Sequence, residues 1–323
     1  MRQIIAHHDF DEITANTFEI RNATRPKPEP GKVLTRTHLI SMDPYLIWNL
    51  SNARSAKAPP ALMRSRTIGE VIDAGGTDFA PGALVLGFGG WQEYDLRSPE
   101  ELREISRKVP AETQLSLGGH SGFTAWLGLQ LGRLSEGETL LISGAAGAVG
   151  SAAGQLAKAR GARIIGIAGG LEKTRWLRED LGFDEVVDHQ APDFTTALVA
   201  AAADGIDMVF ENVGAKTLDP ALPLIRKDGR VLLCGLMQHY ADDAPVCLQN
   251  FRTILASSIQ IIPFSIYDHQ DLQQQAQNEL MALIEAGGLQ SPLDIRDGFG
   301  ELPEAFVAMM QSQARGKILV RCS

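Results

Sequence analysis

The sequence predicts an α/β protein with two domains, one built on a doubly wound parallel sheet and one mainly antiparallel and β-barrel-like. Three observations predict this class. Residues 139–159 match a buried strand, a glycine-rich turn and a helix, and strands and helices alternate from about residue 119 onwards. The preceding residues instead form short apolar runs broken by proline and glycine. Strand–helix alternation is typical of right-handed βαβ units in a parallel sheet.

The first domain is predicted to span residues 1–118. Its short apolar runs predict strands over residues 33–40, 66–72 and 83–88. Because no repeated strand–helix alternation occurs in this part of the chain, an antiparallel, barrel-like arrangement is favoured.

The second domain is predicted to span residues 119–287. Besides residues 139–142, its predicted strands are 163–168, 185–188, 206–210 and 230–234. Its predicted helices are 152–159, 172–181, 195–203 and 273–286. Residues 288–323 are predicted to add a helix over 302–313 and a strand over 317–320, which returns to the first domain.

Composition and charge exclude several classes of function. The chain of 323 residues is 44% hydrophobic and carries a net charge of −9, which argues against a nucleic-acid-binding surface or an anionic membrane partner. No apolar run reaches the roughly 18 residues that span a bilayer, and the first residues lack the apolar core of a signal peptide. Three widely spaced cysteines, Cys234, Cys247 and Cys322, predict neither a disulfide framework nor a zinc site. We therefore expect a cytoplasmic location.

The glycine-rich turn after residues 139–142 predicts a phosphate cradle. Its pattern is Ala145-x-Gly147-x-x-Gly150, so alanine stands where the usual fingerprint has its first glycine. Glycines let the backbone approach a pyrophosphate, whose charge then lies on the N–H groups at the start of the helix. Ala148 and Val149 complete the predicted cofactor-binding turn. The alternative is a turn of small residues that only packs a helix on a strand, but the surrounding alternation favours a Rossmann-type dinucleotide site.

The end of the next strand indicates which dinucleotide is bound. A site that prefers NAD usually has a carboxylate about 20 residues beyond the turn, on the adenosine ribose. Here the strand ends in Gly169 and Gly170, and Lys173 follows in the first turn of the next helix. A cation opposes the helix dipole at that position unless a phosphate binds there. The pattern predicts NADP, whereas the alternative is a solvated lysine balanced by Glu172.

These residues belong to a longer series of motifs that resembles a known family. The chain is similar over nearly its whole length to the zinc-independent medium-chain dehydrogenase/reductase superfamily. Within it, the sequence resembles the branch of leukotriene B4 dehydrogenase/prostaglandin reductases, alkenal double-bond reductases and curcumin reductase. Besides the turn at residues 145–150, the motifs are SMDPY (41–45), GWQEY (90–94), GFTAW (122–126), AGGLEK (168–173), ENVG (211–214) and GK (316–317).

The resemblance implies an NADPH-dependent reductase of carbon–carbon double bonds conjugated to a carbonyl, with a GroES-like first domain and a homodimeric assembly. It implies that Lys173 binds the 2′-phosphate and that Asn212 and Gly214 lie beside the nicotinamide half. His189 stands where many relatives place a tyrosine near the adenosine phosphate; the alternative is a polar residue that simply ends a strand. The predicted cofactor site also includes Cys234, which ends the strand over 230–234, and Gly235 and Tyr240 in the loop that follows it.

Reduction of an enone requires hydride delivery to the β-carbon and stabilisation of the enolate oxygen. The chain lacks the cysteine cluster and the histidine–glutamate pair with which zinc-dependent relatives polarise a carbonyl. We therefore expect hydrogen bonds from a tyrosine or from a ribose hydroxyl to stabilise the oxygen instead. Tyr240 and Tyr45 are the predicted catalytic tyrosines. By resemblance, Tyr45 also lines the substrate pocket, and Tyr267 matches a tyrosine of some relatives. Each of the three can instead be a packed tyrosine with one satisfied hydrogen bond.

Substrate identity is less constrained, because the chain departs from its relatives around the predicted pocket. Relatives commonly have Met-Arg after the motif at 41–45, where this chain has Leu46, Ile47 and Trp48. The missing arginine weakens the case for an anionic substrate and favours a small hydrophobic conjugated carbonyl. His120 replaces a common methionine, and the predicted pocket therefore contains Tyr45, Trp48, His120 and Tyr267. A quinone reductase and a non-catalytic NADPH-binding protein remain the alternatives.

Overall fold

The computed structural model describes residues 1–7, 12–51, 60–240 and 245–322, without the side chains of Trp48, Asn49 and Ser51. The chain forms two compact units. The first combines Met1–Leu115 with Leu293–Ser323, and the second is Ser116–Pro292.

The N-terminal segment of the first unit is rich in strands. In chain order its elements are β1 (Arg2–Ala6), β2 (Phe18–Asn22), β3 (Val33–Ser41), α1 (Leu46–Ser51), β4 (Ala61–Leu62), β5 (Arg64–Asp73), β6 (Leu84–Gly90), β7 (Tyr94–Arg97), β8 (Leu102–Glu104) and α2 (Ala111–Leu115). Short 3₁₀ turns occur at Ala15–Thr17 and Pro99–Glu101. The strands predicted over 33–40, 66–72 and 83–88 are therefore confirmed as β3, β5 and β6.

The second unit alternates strands with helices. Its elements are α3 (His120–Leu131), β9 (Thr139–Ile142), α4 (Ala148–Ala159), β10 (Arg163–Ala168), α5 (Leu171–Glu179), β11 (Glu185–Asp188), α6 (Phe194–Ala201), β12 (Ile206–Glu211), α7 (Ala215–Ala221), β13 (Ile225–Leu233), α8 (Arg252–Ala256), β14 (Gln260–Pro263) and α9 (Gln273–Glu285). The 3₁₀ turns of this unit are Leu222–Leu224, Met237–His239 and Ile266–Leu272.

The last segment of the chain belongs to the first unit. It contains β15 (Leu293–Asp297), a 3₁₀ turn at Phe299–Glu301, α10 (Leu302–Met310) and β16 (Lys317–Arg321). The sheet runs in the order β15-β16-β3-β5-β6-β8, with β7 paired to β3. All of its pairs are antiparallel except β15 with β16. A mainly antiparallel domain is thus confirmed.

The second unit has a fully parallel sheet of six strands in the order β11-β10-β9-β12-β13-β14. The order reverses at β9, which pairs with β10 on one side and with β12 on the other. The carboxyl ends of strands around such a switch point border a ligand crevice. The predicted doubly wound domain is confirmed, and its crevice lies at the ends of β9, β10, β12 and β13.

The helix predictions were incomplete. The helix after the glycine turn begins at Ala148, four residues before the predicted start, so the second half of the turn is already helical. Helix α3 was not predicted. Its residues from Ser121 to Leu129 are all buried, so the sequence shows no polar face and hence no amphipathic period.

Candidate functional site

The glycine-rich turn is shaped for close approach of a ligand to the backbone. Gly144 takes the left-handed conformation (φ +58°), whereas Ala145 has an ordinary negative φ and is fully buried. A Cβ on Gly150 would lie 2.4 Å from the Gly144 carbonyl oxygen and 2.8 Å from the Ala145 Cα. Glycine at 150 therefore lets α4 start directly against the turn. Alanine at 145 causes no backbone strain, because the left-handed residue that requires glycine is Gly144, one position earlier.

Backbone hydrogen bonds attach this turn to the strands on both sides of β9. The Ala145 N–H donates to the Ile167 carbonyl at the end of β10 (3.0 Å), and the Ser143 N–H donates to Phe210 in β12 (3.1 Å). Gly147 precedes α4 as its N-cap and provides no side-chain acceptor for the N–H groups of the first turn. Ala148 and Val149 are the first two residues of that turn. The first N–H groups of a helix are thus available for an anion at the switch point.

The end of β10 has the two glycines that the NADP prediction uses. Gly170 is left-handed (φ +87°), and its N–H donates to Asp188 Oδ1 at 2.9 Å. The same carboxylate oxygen accepts the Gln190 N–H at 2.9 Å. Asp188 therefore fastens the loops after β10 and β11 together. Lys173 is the third residue of α5, as predicted.

His189 lies against the end of β10. Its N–H donates to the Ala168 carbonyl (2.9 Å), and a Cβ on Gly169 would come within 2.9 Å of His189 Nε2. Its Nδ1 is buried and has no hydrogen-bond partner among the residues that the structure describes. Burial lowers the pKa of His189, and the ammonium groups of Lys216 and Lys173 lower it further, while Asp188 opposes them.

A buried carboxylate organises the end of β12. Glu211 is fully buried, and its Oε1 accepts four hydrogen bonds of 2.7–3.0 Å. The four donors are Ser143 Oγ, the backbone N–H groups of Val213 and Gly214, and Thr217 Oγ1. Burial raises the pKa of Glu211, and these donors oppose that rise. The carboxylate thereby links the glycine turn after β9 to the loop after β12.

Asn212 and Gly214 are held by this network. The Asn212 N–H donates to Ser143 Oγ, and its Nδ2 donates to the Ser143 carbonyl, both at 2.8 Å. Gly214 adopts φ +127°, and a Cβ there would lie 2.7 Å from the His239 ring. The structure therefore brings both predicted nicotinamide-side residues to the crevice with fixed backbones.

Tyr240 lies in the loop after β13, at the same edge of the parallel sheet. A Cβ on Gly235 would lie 3.0 Å from the Tyr240 hydroxyl and 3.3 Å from the Asn212 carbonyl oxygen, so the hydroxyl lies over Gly235 near Asn212. Burial raises the pKa of Tyr240 above its ordinary value, and the phenol stays protonated at neutral pH. Burial and the nearby Glu211 raise the pKa of Cys234 to about 12, so its thiol is no nucleophile.

Two of the four predicted pocket residues, His120 and Tyr267, contact each other in the structure. The rings of His120, at the start of α3, and Tyr267 meet edge to face with centroids 6.0 Å apart. Tyr267 is 58% exposed. Tyr45 lies in the first unit with its hydroxyl buried, and the side chain of Trp48 is outside the described part of the chain.

The turn that contains Tyr45 is fixed by a buried ion pair. Lys317 in β16 donates to Asp43 and, at 2.7 Å, to the Met42 carbonyl. Ser41 Oγ donates to the other carboxylate oxygen of Asp43 at 2.5 Å. The side chains of Lys317 and Asp43 are 3% and 6% exposed. The position of Tyr45 in the first unit thus depends on a contact with the last strand.

Sequence reasoning missed the roles of Glu211 and Lys317. Glu211 gives one usable signal, since its carboxylate directly follows the apolar residues 208–210 and must find partners if the end of that strand is buried. Three of its four donors lie within six residues of it, whereas Ser143 is 68 residues away and no local pattern predicts that contact.

The residues of the second unit fit a dinucleotide with an extra phosphate. The turn at 144–150 is a cradle that a Cβ would fill, and His189 Nδ1, Glu211 Oε2 and His239 Nε2 are buried atoms without a partner among the described residues. In residues 1–7, 12–51, 60–240 and 245–322, no group of three or more His, Cys, Asp or Glu side chains can hold a metal ion. No helix in the same part of the chain is long and apolar enough to cross a membrane.

Two family models match the chain. Residues 2–105 match the N-terminal domain of oxidoreductase, and residues 148–285 match a model described as zinc-binding dehydrogenase.

Individual relatives match over almost the full length. NADPH-dependent curcumin reductase of Escherichia coli is 33% identical over 335 residues, covering 99% of this chain and 96% of that protein. The NADP(+)-dependent 2-alkenal reductase of Nicotiana tabacum is 30% identical, covering 95% and 92%. The crystal structure of CurA from Vibrio vulnificus in complex with NADPH superposes with a TM-score of 0.92 at 32% identity, covering 100% of this chain and 99% of that one.

Proposed function

Because the chain belongs to the zinc-independent branch of the medium-chain dehydrogenase/reductase superfamily and is an NADPH-dependent oxidoreductase, we propose that it reduces the carbon–carbon double bond of α,β-unsaturated ketones and aldehydes. The relatives named for curcumin and 2-alkenal reduction support this choice of substrate class.

The position of the Tyr240 hydroxyl is the observation that carries the proposal. It lies over Gly235 beside Asn212, at the edge of the parallel sheet where a nicotinamide half would be bound. A neutral phenol donates a hydrogen bond without placing a charge in a half-buried site. In this proposal Tyr240 donates to the substrate carbonyl oxygen and stabilises the negative charge that builds there.

The remaining residues bind and orient. NADPH, when bound, supplies the hydride for the β-carbon. The N–H groups after Gly147 hold the pyrophosphate, Lys173 and His189 hold the adenosine phosphate, and Asn212 with Gly214 borders the nicotinamide. The edge-to-face pair of His120 and Tyr267 supplies an aromatic surface for an apolar substrate. The roles of Tyr45 as a second catalytic tyrosine and of Trp48 in the pocket stay predictions.

A substrate screen tests the proposal. NADPH oxidation is measured with an enone, a 2-alkenal and a quinone at fixed pH, and the products are identified by mass spectrometry. We expect saturated carbonyl products and the highest kcat/KM for the enone or alkenal. Turnover of the quinone alone would instead assign a quinone reductase, and NADPH binding without any turnover would assign a binding protein. Either result contradicts the proposal.

We also propose that the protein is a homodimer joined through β14. This strand is the last in the order of the parallel sheet, and its residues are mostly exposed. Large apolar side chains are exposed on this strand and shortly before it in the chain. Ile261 is 43% exposed, Phe251 is 62% exposed and Leu255 is 88% exposed. Such an apolar edge favours pairing with a second copy. Light scattering coupled to size exclusion gives the mass directly, and Leu255→Glu should shift it towards the monomer.

A further inference from the structure

Glu211 fixes the loop after β12 without being exposed to the crevice. Its side chain lies at the end of that strand and is fully buried, so a ligand in the crevice does not reach it. Its Oε1 atom accepts the consecutive N–H groups of Val213 and Gly214 at 2.7 and 2.8 Å. These two residues belong to the loop that we assign to the nicotinamide half. Any influence of Glu211 on a ligand must therefore pass through this backbone.

The two oxygens of this carboxylate have very different surroundings. Oε1 accepts four hydrogen bonds, and all four donors are neutral groups. Oε2 is buried and has no hydrogen-bond partner among the described residues. Burial of a carboxylate is costly, and an unpaired buried polar atom is rare in folded proteins. Stability therefore gives no reason for a carboxylate here, whereas the position of the loop gives a reason for an acceptor at Oε1.

Asp207, at the amino end of β12, provides a comparison within the same strand. It also reaches β9, since its Oδ2 accepts the Thr139 N–H at 2.8 Å. Unlike Glu211, it has a counter-ion, because Arg226 Nη1 lies 2.6 Å from both of its carboxylate oxygens. Asp207 thus connects the same two strands at the edge of the sheet opposite to the crevice. One carboxylate serves strand pairing alone, and the other also holds a loop.

Every backbone polar group of residues 212–214 has a partner within the protein. The N–H of Asn212 donates to Ser143 Oγ, and the next two N–H groups donate to Glu211 Oε1. The three carbonyls accept backbone N–H groups from α7 and from the turn after β13. If the acceptor at Oε1 were removed, two N–H groups would lose their partners, and the loop would have to rotate to hydrate them.

We propose that Glu211 is a positioning residue for the nicotinamide half of NADPH, and that it acts as a hydrogen-bond acceptor through Oε1 and not through its charge. The inference rests on the proposed binding of that half beside Asn212 and Gly214, and not on which substrate is reduced. Glutamine places a carbonyl oxygen where Oε1 lies and an amide NH₂ where Oε2 has no hydrogen bond, so it keeps all four donors. Leucine fills a similar volume but offers no acceptor.

Hydrogen exchange in the free protein, followed by NMR, tests the loop itself. The amides of Val213 and Gly214 should exchange at least about tenfold faster in Glu211→Leu than in the wild type, the size expected for one lost hydrogen bond, whereas Glu211→Gln should resemble the wild type. Asp207→Asn is the matched control, and it should lower the melting temperature without changing exchange in this loop. Unchanged exchange in Glu211→Leu would overturn the proposal.

Isothermal titration calorimetry separates positioning from a general structural role. The ligands are NADPH and 2′,5′-ADP, which lacks the nicotinamide half. Glu211→Leu should weaken NADPH about tenfold and 2′,5′-ADP less than about twofold, while Glu211→Gln should stay within about threefold of the wild type for both. Asp207→Asn should change neither affinity.

Ser143→Ala keeps the test open if Glu211→Leu does not fold. This variant removes one donor to Oε1 and the acceptor of the Asn212 N–H, and it should also weaken NADPH more than 2′,5′-ADP. Equal losses for the two ligands, or a glutamine variant as impaired as the leucine variant, would overturn the proposal. Because neither experiment requires turnover, absence of enone reduction leaves these outcomes unaffected.

Discussion

Substituting Lys317 by methionine should destabilise the first unit severely. The change keeps an unbranched side chain, shorter by the ammonium nitrogen, and removes its charge. Asp43 then keeps its hydrogen bond from Ser41 Oγ but loses the ammonium that balances its buried charge, and the Met42 carbonyl loses a 2.7 Å hydrogen bond. Burial lowers the pKa of Lys317, and the neighbouring Asp43 carboxylate opposes that shift. Removing one partner of such a pair costs about 3–5 kcal/mol.

That loss is a large share of the 5–15 kcal/mol that typically stabilises a folded domain. Urea unfolding followed by tryptophan fluorescence measures it, and Lys27→Met, an exposed lysine of the same unit, is the control with an expected change below about 0.5 kcal/mol. The double variant Lys317→Met/Asp43→Asn should recover part of the stability, because it removes the uncompensated charge. A single variant that loses less than about 1 kcal/mol, or a double variant less stable than the single, would refute this reasoning.

Three further predictions concern the second unit. Lys173→Ala should raise the KM for NADPH about tenfold and leave the KM for NADH nearly unchanged, and equal effects would contradict its contact with the 2′-phosphate. Tyr240→Phe should lower kcat by about 10- to 100-fold with little change in NADPH affinity. Because burial raises the pKa of Tyr240, the wild-type rate should stay level from pH 7 to about 9.5. A fall in rate at lower pH would argue against the phenol as the hydrogen-bond donor. Gly150→Ala should abolish NADPH binding and lower the melting temperature, because its Cβ would lie 2.4 and 2.8 Å from backbone atoms. The control is Gly182→Asn, at a left-handed glycine with open space around it, and this variant should bind NADPH normally.

The sequence predicts the parallel sheet and the turn after β9 well, because both depend on local patterns. Apolar runs such as residues 139–142 define strands, and the spacing of Gly147 and Gly150 defines the turn. The pattern did not predict that Gly144 is the left-handed residue, since alanine at 145 looked like a missing glycine. That assignment depends on backbone dihedrals and not on residue type alone.

Longer-range contacts lie beyond such patterns. Ser143 and Glu211 are 68 residues apart, and Asp43 and Lys317 are 274 apart. A buried carboxylate or ammonium must be paired, so the sequence indicates that partners exist. Which residues they are follows only from strand order, which brings β12 beside β9 and β16 beside β3.

The carboxylate of Glu211 has a thermodynamic consequence for cofactor binding. A loop that orders only when its ligand arrives loses conformational entropy at that moment, and the measured affinity falls accordingly. Here the backbone of residues 212–214 already has its hydrogen bonds to Glu211 and Ser143. The protein therefore meets the ordering cost of this loop during folding, and a nicotinamide half bound here, as we propose, would enter a preorganised surface.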